Sequence, residues 1–456
     1  MKNKIAIIGG GAFATSISQQ LSYNNTNDIT LFVRDNNIAN EINTIHTNKK
    51  YFPNRILSRN IKADSDLENL KKYSVIILAI PSNAIREMAL RIVSVISNEA
   101  LIINMAKGID KNGKTFIDYF KKKLGFSNVI SLKGPSFSNE LINNEPTLLT
   151  LGFSDYKQLE IVKSMVKNTN LYIDYTQDIR GVEYLSALKN IYAIYIGNIE
   201  AKFNSANTKF FILTKCISEI KIILKYLKCN DNTFLLSCGI GDFCLTSLND
   251  MSRNKTLGLL LGKGFYGKNI DNNSVVLEGV RTLHFLKKIV DSELLSRLPI
   301  LNELISFFVD KKENSLSVKF DELLRENYTT VLTYGTFDLL HYGHLELLYR
   351  AKDYGNRLIV GLSSDEFNLE KGKKCEFDYK KRKQYLSSLD IVDQVIPETN
   401  WDQKIQDIKN HKVDYFIMGD DWKGKFDYLK EFCKVIYLPR TKGVSTTDLK
   451  KILYNE

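Results

Sequence analysis

Two stretches of this chain collect residues able to do chemistry. His341 and His344 close the string TYGTFDLLHYGH at 333–344. H-x-G-H at the start of a helix sets two imidazoles about one turn apart, so both can face a phosphate gathered at the helix N-terminus. Zinc is the rival use of such a pair, but no Cys or carboxylate stands at metal spacing beside it. Far upstream, GGGAFA at 9–14 fits G-x-G-x-x-G/A through Gly9, Gly11 and Ala14. The first glycine permits a tight turn, the second lets backbone approach a pyrophosphate, and the small third residue lets a helix pack on its strand. The next strand-like run ends in VRD, where Asp35 could accept from a ribose 2′-hydroxyl or Arg34 could meet a 2′-phosphate; NAD and NADP both stay open.

The elements that must position these residues show in the hydrophobic pattern. KIAII (4–8) is a short apolar run closed by glycines, followed by the amphipathic FATSISQQLSY and a second run, DITLFVRD. YSVIILAIPS and EALIINMAKGI are further buried-strand candidates, with a helical NAIREMALRIVSVI between them. This alternation predicts a doubly wound parallel sheet over roughly the first 170 residues. From about Gly181 apolar residues recur at helical spacing, giving an all-α domain to about 310. The polar stretch 311–328 reads as a linker. Strands return in TTVLTYG, RLIVGLS, VDYFIMG and CKVIYLP, so 329–456 forms a second, smaller α/β domain. The domain reading is therefore 1–180, 181–310, a linker at 311–328, and 329–456.

A length of 456 residues exceeds what one growing core supports. Apolar content of 44% with only 7 prolines fits a folded chain, and no apolar run is long enough to span a membrane. The apolar run after the first residues is too short for a signal peptide, so the expected location is cytoplasmic. Six cysteines without a CxxC pair read as reduced, small hydrophobes. A net charge of +11 carried by dispersed lysines fits anionic small molecules as well as nucleic acid; no nucleic-acid partner is expected.

MAKGID, KGPSFSNE, GVEYLSALKNIYAIYIG, CGIGDFCLTSLNDMSRNKTLG and VVLEGVRT occur in the order and spacing of the NAD(P)-dependent glycerol-3-phosphate dehydrogenases, which residues 1–325 resemble. The resemblance implies a Rossmann domain followed by a helical one, and reduction of dihydroxyacetone phosphate to sn-glycerol 3-phosphate. It makes Lys189 the general acid, oriented by Asp242, with Lys107 nearby. Gly9, Gly11, Phe13, Ala14, Arg34, Lys107 and Glu278 would meet the NAD or NADP cofactor. Ser136, Asn190, Thr246, Ser252, Arg253 and Asn254 would meet the substrate, the last two holding its phosphate.

The string around HYGH, with LIVGLSSDEFNLEKGKK, VDQVIPETNWDQKIQDI and FIMGDDWKGKFDYLKEFCKVIYLPRTKGVSTTDL, resembles glycerol-3-phosphate cytidylyltransferase from about 329 to 454. A Rossmann-like nucleotidyltransferase domain is implied, joining glycerol 3-phosphate to CTP as CDP-glycerol with release of pyrophosphate. His341 and His344 would stabilise the phosphates, and Lys371 and Lys373 would neutralise them. Thr336, Phe337, Asp338, Arg382, Asp421, Arg440, Thr441, Ser445 and Thr446 would bind substrate, with Mg²⁺ arriving on CTP and no metal held by the protein itself. Asp390 departs from the family, which commonly carries an arginine near the active site there.

The two resemblances fit one another, because the product of the first reaction is the substrate of the second. They imply a bifunctional enzyme, a homo-oligomer such as a dimer, and use of the product in a teichoic acid or capsule. The rival reading is a cytidylyltransferase for ribitol 5-phosphate or glycerol 1-phosphate, with the N-terminal part a non-catalytic dinucleotide-sensing or dimerising module.

Overall fold

The computed structural model describes residues 3–265, 277–313, 315–317, 320, 323 and 329–439. The chain divides into two compact units, Met1–Leu324 and Arg325–Glu456, each with its own sheet. Among the described residues no helix is long and apolar enough to cross a membrane, and all six cysteines are free, three of them buried.

In the first unit eight strands, β1 (Asn3–Ile8), β2 (Asn27–Phe32), β3 (Ile61–Asp64), β4 (Val75–Leu78), β5 (Leu101–Asn104), β6 (Val129–Lys133), β7 (Thr147–Gly152) and β8 (Leu171–Thr176), lie in the order β3-β2-β1-β4-β5-β6-β7-β8. The apolar runs at its centre are buried on both faces, which is what covered parallel strands require. The order reverses at β1, whose neighbours are β2 and β4, so the glycine turn opens at the switch point where such sheets take ligands. One pairing departs from the all-parallel expectation: β6 and β7 are antiparallel. The only helix between them is the five-residue Ser138–Ile142, which packs beside helix Ala12–Ser22 through a Ser16 to Ser138 carbonyl bond of 2.9 Å instead of crossing the sheet.

Gly9 holds φ +141°, and a Cβ built there would stand 2.5 Å from the Ala79 carbonyl oxygen. Gly9→Ala combines backbone strain with a clash against main chain, and an expected loss of about 2–4 kcal/mol can be read from denaturant unfolding.

The helical part is organised around Ile179–Lys202. Its apolar residues are not confined to one stripe, and nearly the whole helix is buried, as an all-round apolar helix must be. It crosses helix Arg253–Gly262 at a pair of glycines: a Cβ on Gly197 would meet the Lys255 carbonyl oxygen at 2.3 Å, and one on Gly258 the Ile194 oxygen at 2.0 Å. Backbone thus rests on backbone. A buried carboxylate, Glu219, accepts from the amides of Ile300 and Leu301 at 2.7 and 3.0 Å and from the Tyr192 hydroxyl at 2.9 Å, capping helix Pro299–Phe308; burial pushes it up to about 7.

The second unit has five parallel strands, β9 (Thr330–Gly335), β10 (Arg357–Ser363), β11 (Gln394–Glu398), β12 (Tyr415–Gly419) and β13 (Lys434–Leu438), ordered β11-β10-β9-β12-β13. Pro397 lies within β11, an edge strand, the position where a residue without an N–H is tolerated. The order reverses at β9, and the histidine-bearing loop leaves from its C-terminal end.

Candidate active sites

Gly11 caps helix Ala12–Ser22 without a side-chain bond, and no acidic residue stands in the first turn. A Cβ on Gly11 would meet nothing within 4 Å. The first amides of this helix are therefore open to an anion, and Ala14 is buried behind them, so the turn fits a dinucleotide pyrophosphate. Phe13 is half-buried and Arg34 exposed at the end of β2. The Asp35 carboxylate is engaged: it caps helix Asn36–Ile45, accepting from the Asn37 amide at 2.9 Å.

Two lysines and an aspartate converge at the far ends of β5 and β6. Asp242 opens helix Asp242–Leu248, placed there by a turn of π-helix at Ser237–Gly241, a local irregularity frequent at functional sites. Its carboxylate pairs with Lys189 and, at 3.1 Å, with Lys107. Lys189 also donates to Thr246 Oγ1 at 2.9 Å, and Lys107 to the Gly134 carbonyl at 3.0 Å. Asp242 and Lys189 are 1% and 4% exposed. Burial, opposed by Asp242 and reinforced by Lys107, brings the Lys189 ammonium down to about 7. Such an ammonium can give up a proton near neutrality while the aspartate fixes its direction.

Other residues named from the sequence are divided between open and committed groups. Arg253 is exposed and makes no ion pair among the described residues. Asn254 is buried, donating to Asn190 at 3.0 Å and accepting from the Gly279 amide at 3.2 Å, so its amide ties three helices together. Ser252 caps helix Arg253–Gly262. Ser136 donates to the Gly134 carbonyl at 3.0 Å. Glu278 accepts from Ser82, which lies just beyond β4, at 2.6 Å, and burial raises its pKa.

The second unit holds a cavity of about 550 Å³ at the C-terminal ends of β9 and β12. His341 caps helix Tyr342–Lys352, its Nδ1 accepting from the Gly343 amide at 3.1 Å. His344 stacks on it with ring centroids 3.9 Å apart and planes 21° from parallel. Burial, then His341, push the His344 imidazole down to about 4 against the pull of Asp338, so it is neutral at pH 7. Phe337 lies 5.2 Å from the His344 ring, and Thr336 donates to Asn368 at 3.0 Å.

Lys371 reaches the same cavity and is held by Glu398 at 2.8 Å and Ser363 at 3.1 Å. Lys404 donates to the other oxygen of Glu398 at 2.8 Å. Both ammonium groups also lie over Trp401, at 4.8 and 4.9 Å. Lys373 and Asp421 are exposed on the lining. Two candidates serve the walls: Asp338 accepts from the amides of Glu376 and Phe377, and Arg382, 1% exposed, donates to the carbonyls of Thr336, Ser363 and Phe377 and to Asp365. Arg440, Thr441, Ser445 and Thr446 lie outside the described residues. Asp390 is exposed and does not line the cavity.

Sequence reasoning passed over Lys133 and Glu183 in the first unit and Glu398, Trp401 and Lys404 in the second. A lysine at a buried strand end was the available signal for Lys133, and the carboxylate shared by Lys371 and Lys404 could not be read without the fold.

Family models match at residues 4–159 (NAD-dependent glycerol-3-phosphate dehydrogenase N-terminus), 178–318 (its C-terminus) and 332–452 (cytidylyltransferase-like). A glycerol-3-phosphate cytidylyltransferase of Bacillus spizizenii is 64% identical over 121 residues, covering 26% of this chain and 94% of that protein. A glycerol-3-phosphate dehydrogenase (NAD(P)+) of Methanothermobacter thermautotrophicus is 30% identical over 315 residues, covering 68% of this chain and 94% of that one. The glycerol-3-phosphate dehydrogenase structure from Coxiella burnetii matches with a TM-score of 0.60 at 22% identity, over 68% of this chain and 95% of its own, a likeness of fold.

Proposed function

The chain belongs to the NAD(P)-dependent glycerol-3-phosphate dehydrogenases over its first unit and to the glycerol-3-phosphate cytidylyltransferases over its second, a bifunctional enzyme, and we propose that it reduces dihydroxyacetone phosphate to sn-glycerol 3-phosphate and then converts that product to CDP-glycerol. The observation that carries the first half is the ion-paired Lys189–Asp242–Lys107 cluster, in the same unit as an open dinucleotide turn.

A reduced nicotinamide, held by its pyrophosphate at the Gly9–Ala14 turn, would supply hydride for the carbonyl carbon. Lys189 gives its proton to the carbonyl oxygen as negative charge develops there, and Asp242 and Thr246 hold the ammonium in direction. Arg253 is the open cation for the substrate phosphate. Because the acid form is required and Lys189 sits down at about 7, the reduction rate is expected to fall as pH rises through about 7. A rate profile between pH 6 and 9 checks this; a rate rising through that range overturns the assignment.

In the second unit an oxygen of glycerol 3-phosphate attacks the α-phosphorus of CTP and pyrophosphate leaves. His341 and His344 stabilise the phosphate oxygens at the helix start, and Lys371, Lys373 and the residues of RTKGVSTT neutralise the rest. Mg²⁺ would arrive with CTP and shield its phosphates; Asp421, on the cavity lining, is a carboxylate that would help hold it, while Asp338 is committed to backbone. The position of Asp390 outside the lining supports glycerol 3-phosphate as acceptor. CDP-glycerol would feed a teichoic acid or capsule.

The deciding experiment is a single-pot reaction of dihydroxyacetone phosphate, CTP and Mg²⁺ with NADH or NADPH, following cofactor oxidation and pyrophosphate together. Pyrophosphate that depends on the reduced cofactor supports both halves. Cofactor oxidation without pyrophosphate, even with glycerol 3-phosphate added, overturns the second.

A further inference from the structure

Lys133 ends β6 with its side chain fully buried, and nothing in the proposed reaction uses it. Its ammonium donates to the carbonyls of Asn104 at 2.9 Å and Ala106 at 2.5 Å and lies 3.5 Å from Glu183 Oε1. Those carbonyls belong to the segment that leaves β5 and delivers Lys107. The residue after Lys133 is Gly134, whose carbonyl accepts from Lys107. Glu183 sits in the same helix as Lys189 and also accepts from Asn104, Ser131 and the amides of Phe116 and Ile117.

Given the dehydrogenase reading on which it rests, we propose that Lys133 is a positioning residue for the reduction: it clamps the exit of β5 to the exit of β6, and so holds Lys107 against Asp242 and beside the proton donor. A plain apolar residue would fill the space at no cost in buried charge. It would leave two carbonyls of a catalytic loop without donors and Glu183 without its counter-charge. The groups that face this cluster are Lys107, Lys133, Lys189, Asp242 and Glu183, three cations and two anions. Lys107 is the member that disfavours the Lys189 ammonium, so its release lets Lys189 hold its proton to higher pH.

The test compares wild type with Lys133→Met and with Lys133→Met/Glu183→Gln, the second leaving no unpaired buried charge should the first not fold. Expected in whichever folds are a kcat for dihydroxyacetone phosphate lower by about 10- to 100-fold with KM little changed, and a basic limb of the rate profile displaced upward by roughly one pH unit. A lowered melting temperature with kcat and the limb at wild-type values would make Lys133 merely structural and overturn the proposal. A wild type that does not reduce dihydroxyacetone phosphate overturns the dehydrogenase reading instead. Lys107 then decides the matter without turnover, since its side chain is 28% exposed and can be acetylated by acetic anhydride and followed by mass spectrometry. Faster labelling of Lys107 in the variants supports the clamp, and unchanged labelling removes it.

Discussion

Lys189→Met is expected to lower the reduction of dihydroxyacetone phosphate by about 10³-fold or more while leaving CMP transfer to supplied glycerol 3-phosphate at its wild-type rate. The loss is assigned to the transition state. Lys189 is 4% exposed and has one carboxylate and one hydroxyl as partners, an arrangement that aims a proton and does little to grip a ground-state substrate. Both kcat and kcat/KM should therefore fall together. The fold should survive, because Asp242 keeps Lys107 at 3.1 Å as a counter-ion and methionine matches the lysine stem in length. Steady-state kinetics of both reactions on one preparation check the split. A variant that keeps a tenth of the rate would show that the proton comes from elsewhere.

The second large effect is expected for His344→Ala, at about 10²- to 10³-fold in CMP transfer with reduction unaffected. His344 is fixed from two sides, by the His341 ring at 3.9 Å and Phe337 at 5.2 Å, so its donor is in place before the phosphates arrive. It sits down at about 4 through burial. At any pH above 6 it acts as a neutral donor, and CMP transfer should show no limb from this residue near the ordinary histidine value. The same shift carries a stability consequence. The unfolded chain takes up a proton near 6.5 that the folded one refuses until about 4, so this contribution is complete above 6.5 and is lost as pH falls toward 4. Pyrophosphate release between pH 5.5 and 8, beside unfolding midpoints over the same range, checks both.

The two sheets were legible because covered parallel strands are short, nearly continuous apolar runs, and KIAII, YSVIILAIPS and RLIVGLS are of that kind. β3 is a four-residue strand with a lysine in it, and β11 contains Pro397; edge strands such as these and β8 carry less apolar signal, and they passed unnoticed as strands, as did the interior β6 and β7. The antiparallel turn of β7 depends on where a five-residue helix packs, which periodicity does not encode. The histidine pair and the glycine turn were readable because each is contiguous. The ion cluster around Asp242 is assembled from segments far apart in sequence, and the carboxylate shared by Lys371 and Lys404 joins two neighbouring strand ends, so residue type alone could not separate Lys133 or Glu398 from the other charges of a chain rich in them. Family resemblance supplied Lys189, Asp242 and Lys107; it said nothing of Lys133 and Glu183 behind them.

The face-to-face imidazoles give the second site a reporter of its own. A proton above the plane of an aromatic ring is shielded by the ring current, and the His341 and His344 rings are stacked with their centroids 3.9 Å apart. The chain has five histidines, so a proton NMR spectrum of the imidazole region is sparse. Two sets of signals are expected at unusually high field, apart from those of His46, His284 and His411. A nucleotide phosphate that draws the two rings out of register would move them downfield, so occupancy of this site could be followed directly and without any turnover.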